Sequence, residues 1–295
     1  MGGCKQTERI LCRVGIGGVE TVDGIRLLQL CSVRDGAFVY AIYLQQEPQN
    51  NFIDMNLLKT PPLTVYTLTF NEEFMLPKFI EHYRGMFPGC KIVIYDNEST
   101  DRTRTIADFY RCEVISNKTE GKLNDVRYLE IKNNCWKDAG TDWVCIADAD
   151  EHLNIDDNEL FRQDQQGVSV IRSRGWNMVN MKDDMNFKGI THGVRAKSYD
   201  KVYMFKRSMI REIHYSPGCH SANIIGKVQE SSRVYDCFHY KYVNPDFMVA
   251  RHKVFASRLS EVNKTKGYGF HYTYSEEEIR KEFEQARANA KQILI

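Results

Sequence analysis

The sequence has no apolar run close to the roughly 20 residues needed to span a bilayer, which excludes a transmembrane helix. Its opening, Met1 to Ile10, lacks the apolar stretch of a secretory signal. It also holds Gln6 where a myristoylation pattern requires Ser or Thr. The nine cysteines form no C-x-x-C pair and no zinc-ligand spacing. Free thiols in a reducing, cytoplasmic setting are therefore expected. There the N-x-S/T patterns at Asn97, Asn117 and Asn263 would go unused. A formal net charge of +1 supplies no global field for nucleic acid or an anionic membrane. A phosphate-cradling loop is missing too. Gly15–Glu20 (GIGGVE) has no following helix and no Lys-Ser/Thr, and reads as a plain turn. What remains is ordinary globular composition, 42% hydrophobic and 27% charged, in 295 residues.

The chain divides in two by pattern. Residues 1–62 carry three short β-rich runs (ERILCRVGI, GIRLLQLCSV, GAFVYAIYL) separated by Gly and Asp turns. They predict a small antiparallel extension with a linker closed by Pro61-Pro62. Residues 63–295 alternate strand and helix. LTVYTLTF, CKIVIYDN, CEVIS and DWVCIADAD read as strands, and the segments between them have helical spacing. That alternation predicts an α/β domain with a parallel sheet and helices on both faces. Ligands in such sheets bind beyond the carboxyl ends of the strands. Asn71 and Glu72 follow the first strand, Asp96 and Asn97 the second, and Asp148 and Asp150 the fourth, so all should face one crevice. Carboxylates crowded at a strand end repel, and a hard divalent cation relieves the repulsion. The bland alternative is an acidic loop with a helix cap at Asp150 or Asn154.

In order, TLTFNEEFMLPKFIEHY, IVIYDNESTDRT and KNNCWKDAGTDWVCIADADEHL resemble the family-two-type GT-A glycosyltransferases, from about Leu63 to Tyr272. The resemblance implies a Rossmann-like GT-A fold, a UDP-sugar donor, a glycan or glycoconjugate acceptor, and Mn2+ or Mg2+. It implies that Thr67, Thr69, Asn71 and Glu72 line the base and ribose site, with Asp96 and Asn97 on the uracil or ribose. Lys132, where relatives carry Arg, would contact the nucleotide, as would Ala149. Asp148 would face ribose and metal, and Asp150 would ligate the metal that bridges the two phosphates.

The second half departs from the commonest family pattern. YSPGCHSA stands where relatives carry an acidic pair whose Asp is the usual base. In a subgroup with PGCH and HYKY, His220 becomes a further metal ligand, against the alternative that it only bonds a turn. His239 and Lys241 are expected to clamp the diphosphate, whereas Arg251 and Lys253 read as the solvated face of a helix from Pro245. Trp176 suits an acceptor-sugar platform and a core position equally. Inversion requires a base. Asp183, Asp184, Asp200, Glu212 and Glu151 are the candidates, with Asp184 and Asp200 first. SEEEIRKEFEQARANAKQILI predicts a last amphipathic helix, capped by Ser275, with Ile279 and Phe283 inward. It would be the last element, ending without a C-cap, as in a piece of a longer multidomain chain. Two other functions fit part of the pattern. A nucleotidyltransferase would need a GGxGTRL-type loop where TFNEEF stands. A non-catalytic sugar-nucleotide or glycan-binding module would bind UDP without transferring sugar.

Overall fold

The computed structural model describes residues 16–22, 25–34, 37–41, 61–182 and 184–293. The chain divides into two units, Met1–Thr60 and Pro61–Ile295. In the first, β1 (Ile16–Val22), β2 (Ile25–Arg34) and β3 (Ala37–Ala41) form an antiparallel meander. The GIGGVE stretch is thus mostly strand rather than turn. Gly17 and Gly18 sit where the β1–β2 register shifts, between Gly17 and Val19, a place where glycine suits an irregular backbone. The ERILCRVGI run falls almost wholly outside the described residues.

The second unit is built on β4 (Leu63–Thr69), β5 (Lys91–Asp96), β6 (Glu113–Ser116) and β7 (Trp143–Ile146). They run parallel in the order β7-β4-β5-β6. Every residue of β4 and β7 is buried, as a central parallel strand covered on both faces requires. On one face pack α1 (Leu76–Met86), α2 (Thr103–Phe109) and α4 (Asp157–Gln165), meeting Val65, Ile92 and Ile94. α1 starts later than the apolar pattern suggests because Pro77 fits the first turn and no earlier interior position. On the other face Tyr66, Val93 and Val144 meet Trp136, beyond the end of α3 (Asp125–Asn134), and the 210–219 segment. Trp143 and Phe79 are fully buried, worth about 2–3 kcal/mol each.

The sheet continues through β11 (Met204–Lys206), β9 (Val170–Val179), β10 (His192–Arg195) and β15 (Lys291–Gln292). β14 (Glu230–Tyr242) runs parallel to β9 and antiparallel to β8 (Glu151–Leu153). A short β12–β13 ladder (Ile210–Glu212, Ile225–Gly226) lies apart. Then follow α5 (Pro245–Arg258), α6 (Glu261–Lys266) and α7 (Glu276–Asn289). α7 opens on the Ser275/Glu278 capping box and buries Ile279 and Phe283. It is not the last element, as the pattern suggested. It ends at Asn289, and Lys291–Gln292 pair with β10.

Candidate active site

The strand ends are stapled together by their own motifs. Asn71 adopts a positive φ of 53°, which Asn tolerates better than most residues. Its side-chain carbonyl accepts from the Thr100 and Asp101 amides. The Glu72 amide donates to Thr103 Oγ1, and the Glu73 amide to Asp101. The N-E and S-T-D-R-T motifs are therefore two halves of one latch.

Beyond these ends lies a cleft of about 410 Å3. Glu72 enters it from after β4, Asp148, Ala149 and Asp150 from after β7, Lys132 from α3, and Arg251 from α5. Lys132 Nζ lies 2.6 Å from Asp148 Oδ1. Burial works against the Asp148 carboxylate, but Lys132 and Lys201 outweigh it and hold its pKa down at about 2. Arg251 bridges Glu72 Oε2 (2.5 Å) and Asp150 Oδ2 (3.2 Å). Burial lifts Glu72 to about 7 despite Arg251, with Asp150 adding to the rise. Burial also raises Asp150. His239 Nδ1 lies 2.8 Å from Asn177 Oδ1, and its Nε2 stands 3.7 Å from Asp150 Oδ2. Burial, then Lys201, keeps this imidazole neutral well below its ordinary range. His220 lines the same cleft, folded over Gly218, where a Cβ would come within 2.6 Å of its Nε2. Its Nδ1 lies 2.8 Å from the Ser198 carbonyl oxygen.

The donor set suits a hard divalent cation: two carboxylates two residues apart and neutral imidazoles on one wall. As arranged, however, the carboxylates face Lys132 and Arg251. Among the described residues no three His, Cys, Asp or Glu side chains are grouped to hold a metal ion.

Several expected site residues lie elsewhere. Thr67 and Thr69 are buried on the α1/α2 side of β4, because alternation sends Leu68 and Phe70 to the cleft instead. Asn71 is consumed by the latch. Asp96 pairs in register with Thr69, and its Oδ2 is 3.5 Å from Arg104 Nε. Its Oδ1 is buried without a protein partner. Asn97 is saturated by Asn117, Thr119, Tyr128 and Arg258. Lys241 turns to Glu282 of α7, 2.5 Å away, and does not line the cleft.

The candidate bases fare similarly. Exposed Asp184 accepts from the Asn180 side chain and the Asn186 amide in its own loop. Asp200 accepts from the Gly175 amide through one oxygen and pairs with Arg195 through the other. Glu212 pairs with Lys137, and Asp183 lies outside the described residues. Glu151 does line the cleft wall, but both its oxygens are taken, by Lys201 Nζ (2.5 Å) and the Asp148 amide (3.0 Å). The Trp176 indole donates to Asp236 and is not a cleft platform. Lys253 is exposed and pairs with Glu276, as a solvated face predicts.

Arg251 is the reversal, and Lys201 is the residue sequence reasoning missed. Arg251 lies one turn from both Phe247 and Phe255, and its guanidinium contacts both rings. An arginine between two aromatics at i±4 is the signal that marks it as part of an inward face.

Residues 64–162 match the family described as Glycosyl transferase family 2. No curated protein matches the chain. Among solved structures, S. aureus TarS 1-349 in complex with UDP-GlcNAc is 15% identical at a TM-score of 0.36, over 77% of this chain and 74% of that one. Mannosyltransferase PcManGT from Pyrobaculum calidifontis, in complex with GDP-Man and Mn2+, is 13% identical at 0.39, over 68% and 64%. Glucosyl-3-phosphoglycerate synthase from Mycobacterium tuberculosis is 19% identical at 0.27, over 39% and 44%. The matched segment runs from the second residue of β4 into α4 and holds the latch, Lys132 and the D-x-D carboxylates, and over these residues the chain is similar to the family 2 glycosyltransferases.

Proposed function

We propose that the cleft is the donor site of a metal-dependent glycosyltransferase that moves a hexose from a UDP-sugar to a hydroxyl of a glycan acceptor, with inversion. One observation carries the reading. Carboxylates from the ends of two neighbouring parallel strands meet Lys132 and Arg251 in a single cleft. Opposed charges at strand ends suit a sugar diphosphate with its counter-ion. A divalent cation held by Asp148 and Asp150, with His239 beside Asp150, would neutralise the diphosphate as it leaves.

The chain's own residues do the rest. Lys132 keeps Asp148 ionised at any physiological pH. Arg251 offers a planar guanidinium that suits phosphate oxygens. The neutral ring of His239 presents a nitrogen lone pair rather than a positive charge. Phe70 lies at the cleft wall beneath the Arg258 guanidinium, which also donates to Asn97, and we assign this corner to the base.

The test is the melting midpoint with UDP, with and without Mn2+, for the wild type and Asp150→Ala. UDP at about a hundred times its dissociation constant adds about 2.7 kcal/mol. For a domain of this size that is a rise of roughly 5–10 °C. The rise is expected to need Mn2+ and to vanish in Asp150→Ala. No rise with any nucleotide overturns the reading, whereas a rise with GDP alone keeps the cleft and changes the donor. UDP binding with neither hydrolysis nor transfer of any UDP-sugar would favour a binding module.

A further inference from the structure

We infer that Lys201 is a positioning residue: from the wall of the same cleft it holds Glu151 against the Asp148 backbone and so fixes the direction of both aspartates. This rests on the donor-site reading above and extends it to a lysine outside every motif.

The geometry is specific. Lys201 Nζ and Glu151 Oε1 are 2.5 Å apart, with side chains only 4% and 3% exposed. The other Glu151 oxygen accepts the Asp148 N–H at 3.0 Å. The Asp148 carbonyl in turn accepts the Glu151 N–H at 2.9 Å. The turn carrying both aspartates is therefore closed twice, once through backbone and once through a carboxylate. A buried carboxylate can hold that second closure only while a cation compensates its charge. Lys201 has a second contact. Its ammonium stands 4.5 Å from the Tyr199 ring centroid, and that ring stacks on His239 at 4.0 Å. One side chain thus steadies the Asp148 amide through Glu151 and the neighbour of Asp150 through Tyr199.

A purely structural pair would contribute stability alone, so the test reads order at the turn and affinity separately. The variants are Lys201→Met and Glu151→Gln. A glutamine has one oxygen for two donors, Lys201 and the Asp148 amide, so it must release one of them without losing volume. Amide exchange on ligand-free protein is followed on peptides spanning Cys145–Leu153, with β5 peptides as the control. Mn2+ with UDP is then titrated calorimetrically. Both variants are expected to exchange about tenfold faster at the turn while β5 keeps its protection. The UDP dissociation constant in Mn2+ should rise about tenfold or more, the usual effect of losing a group behind a metal ligand. Unchanged turn exchange in a folded variant overturns the inference. If Lys201→Met does not fold, Glu151→Gln alone decides it. A wild type that binds no Mn2+ and UDP defeats the donor-site reading instead, and the exchange measurement still decides what Lys201 does.

Discussion

Removing Arg251 should expose how the ligand-free cleft is held. Arg251→Met keeps an unbranched side chain between Phe247 and Phe255 but deletes the guanidinium that faces both rings and bridges Glu72 and Asp150. Breaking a buried ion pair by removing one partner costs about 3–5 kcal/mol. The Arg251 side chain is 21% exposed, so solvent screens part of that loss. The expected cost near pH 7 is about 2–3 kcal/mol, a fall in midpoint of roughly 5–10 °C. The pH dependence carries a sign. Burial raises Glu72 from 4.5 to about 7, so the folded state keeps a proton that the unfolded state releases between those values. Stability contributed at this site therefore declines as pH rises through that window. Arg251 limits the decline by favouring the carboxylate. Without it the decline should steepen and extend beyond pH 7, whereas below about pH 4.5 a neutral Glu72 leaves only the Asp150 pair to lose. Calorimetric or fluorescence melts of both proteins from pH 4.5 to 8.5 provide the measurement. A deficit that stays constant or shrinks with rising pH would refute the reasoning. So would a midpoint within about 1 °C of wild type at pH 8.

Three further outcomes are expected. His252, on α5 and buried against Tyr272 of the 270–273 turn, is lowered to about 4 by burial, with Lys241 adding to it. The unfolded chain thus binds a proton the folded one refuses, and stability is lost as pH falls from 6.5 to 4. His252→Gln should reduce that acid loss, which is at most about 3 kcal/mol, in melts across the window. Asp184→Ala should leave UDP affinity and midpoint within error, while Asp200→Ala should lower the midpoint by a few degrees through the lost Gly175 and Arg195 contacts without changing affinity. A hundredfold loss of turnover in either folded variant would restore it as a base. Gly175→Ala would place a Cβ 2.2 Å from Tyr199 Cβ and 2.7 Å from the Ala196 carbonyl. We expect a cost of about 2 kcal/mol or more and weakened nucleotide binding, since Tyr199 carries the stack on His239. A normal midpoint with normal UDP affinity would show that the segment moves aside.

The parallel strands and the inward face of α7 were legible, because each rests on local periodicity, whereas the spatial order of the strands was not. The position of the D-x-D pair followed from the same pattern. Thr67 and Thr69 were misassigned by parity alone. In a strand a one-residue offset exchanges the faces, and a strand buried on both sides carries no polar alternation to show which is which. Asp200 and Lys241 have the right chemistry for a site, but their charges are met by Arg195 and Glu282, and only tertiary placement reveals that. Lys201 and Arg251 escaped for a related reason. Lys201 meets Glu151 across 50 residues, and Arg251 meets Asp150 across 101, spacings that no window of helix or strand periodicity samples.

The reach of α5 has a consequence for how the protein is made. Arg251 contacts Glu72 across 179 residues and Arg258 contacts Asn97 across 161. Loop closure over such separations comes late, after local pairs have formed. During synthesis the four parallel strands leave the ribosome well before these arginines do. Until α5 arrives, Lys132 and Lys201 can answer Asp148 and Glu151, but Glu72 and Asp150 lack the guanidinium that bridges them. The cleft wall that Arg251 supplies is therefore set in place only after the sheet that bears Glu72 and Asp150, and a chain stopped before α5 would leave those two carboxylates unbridged.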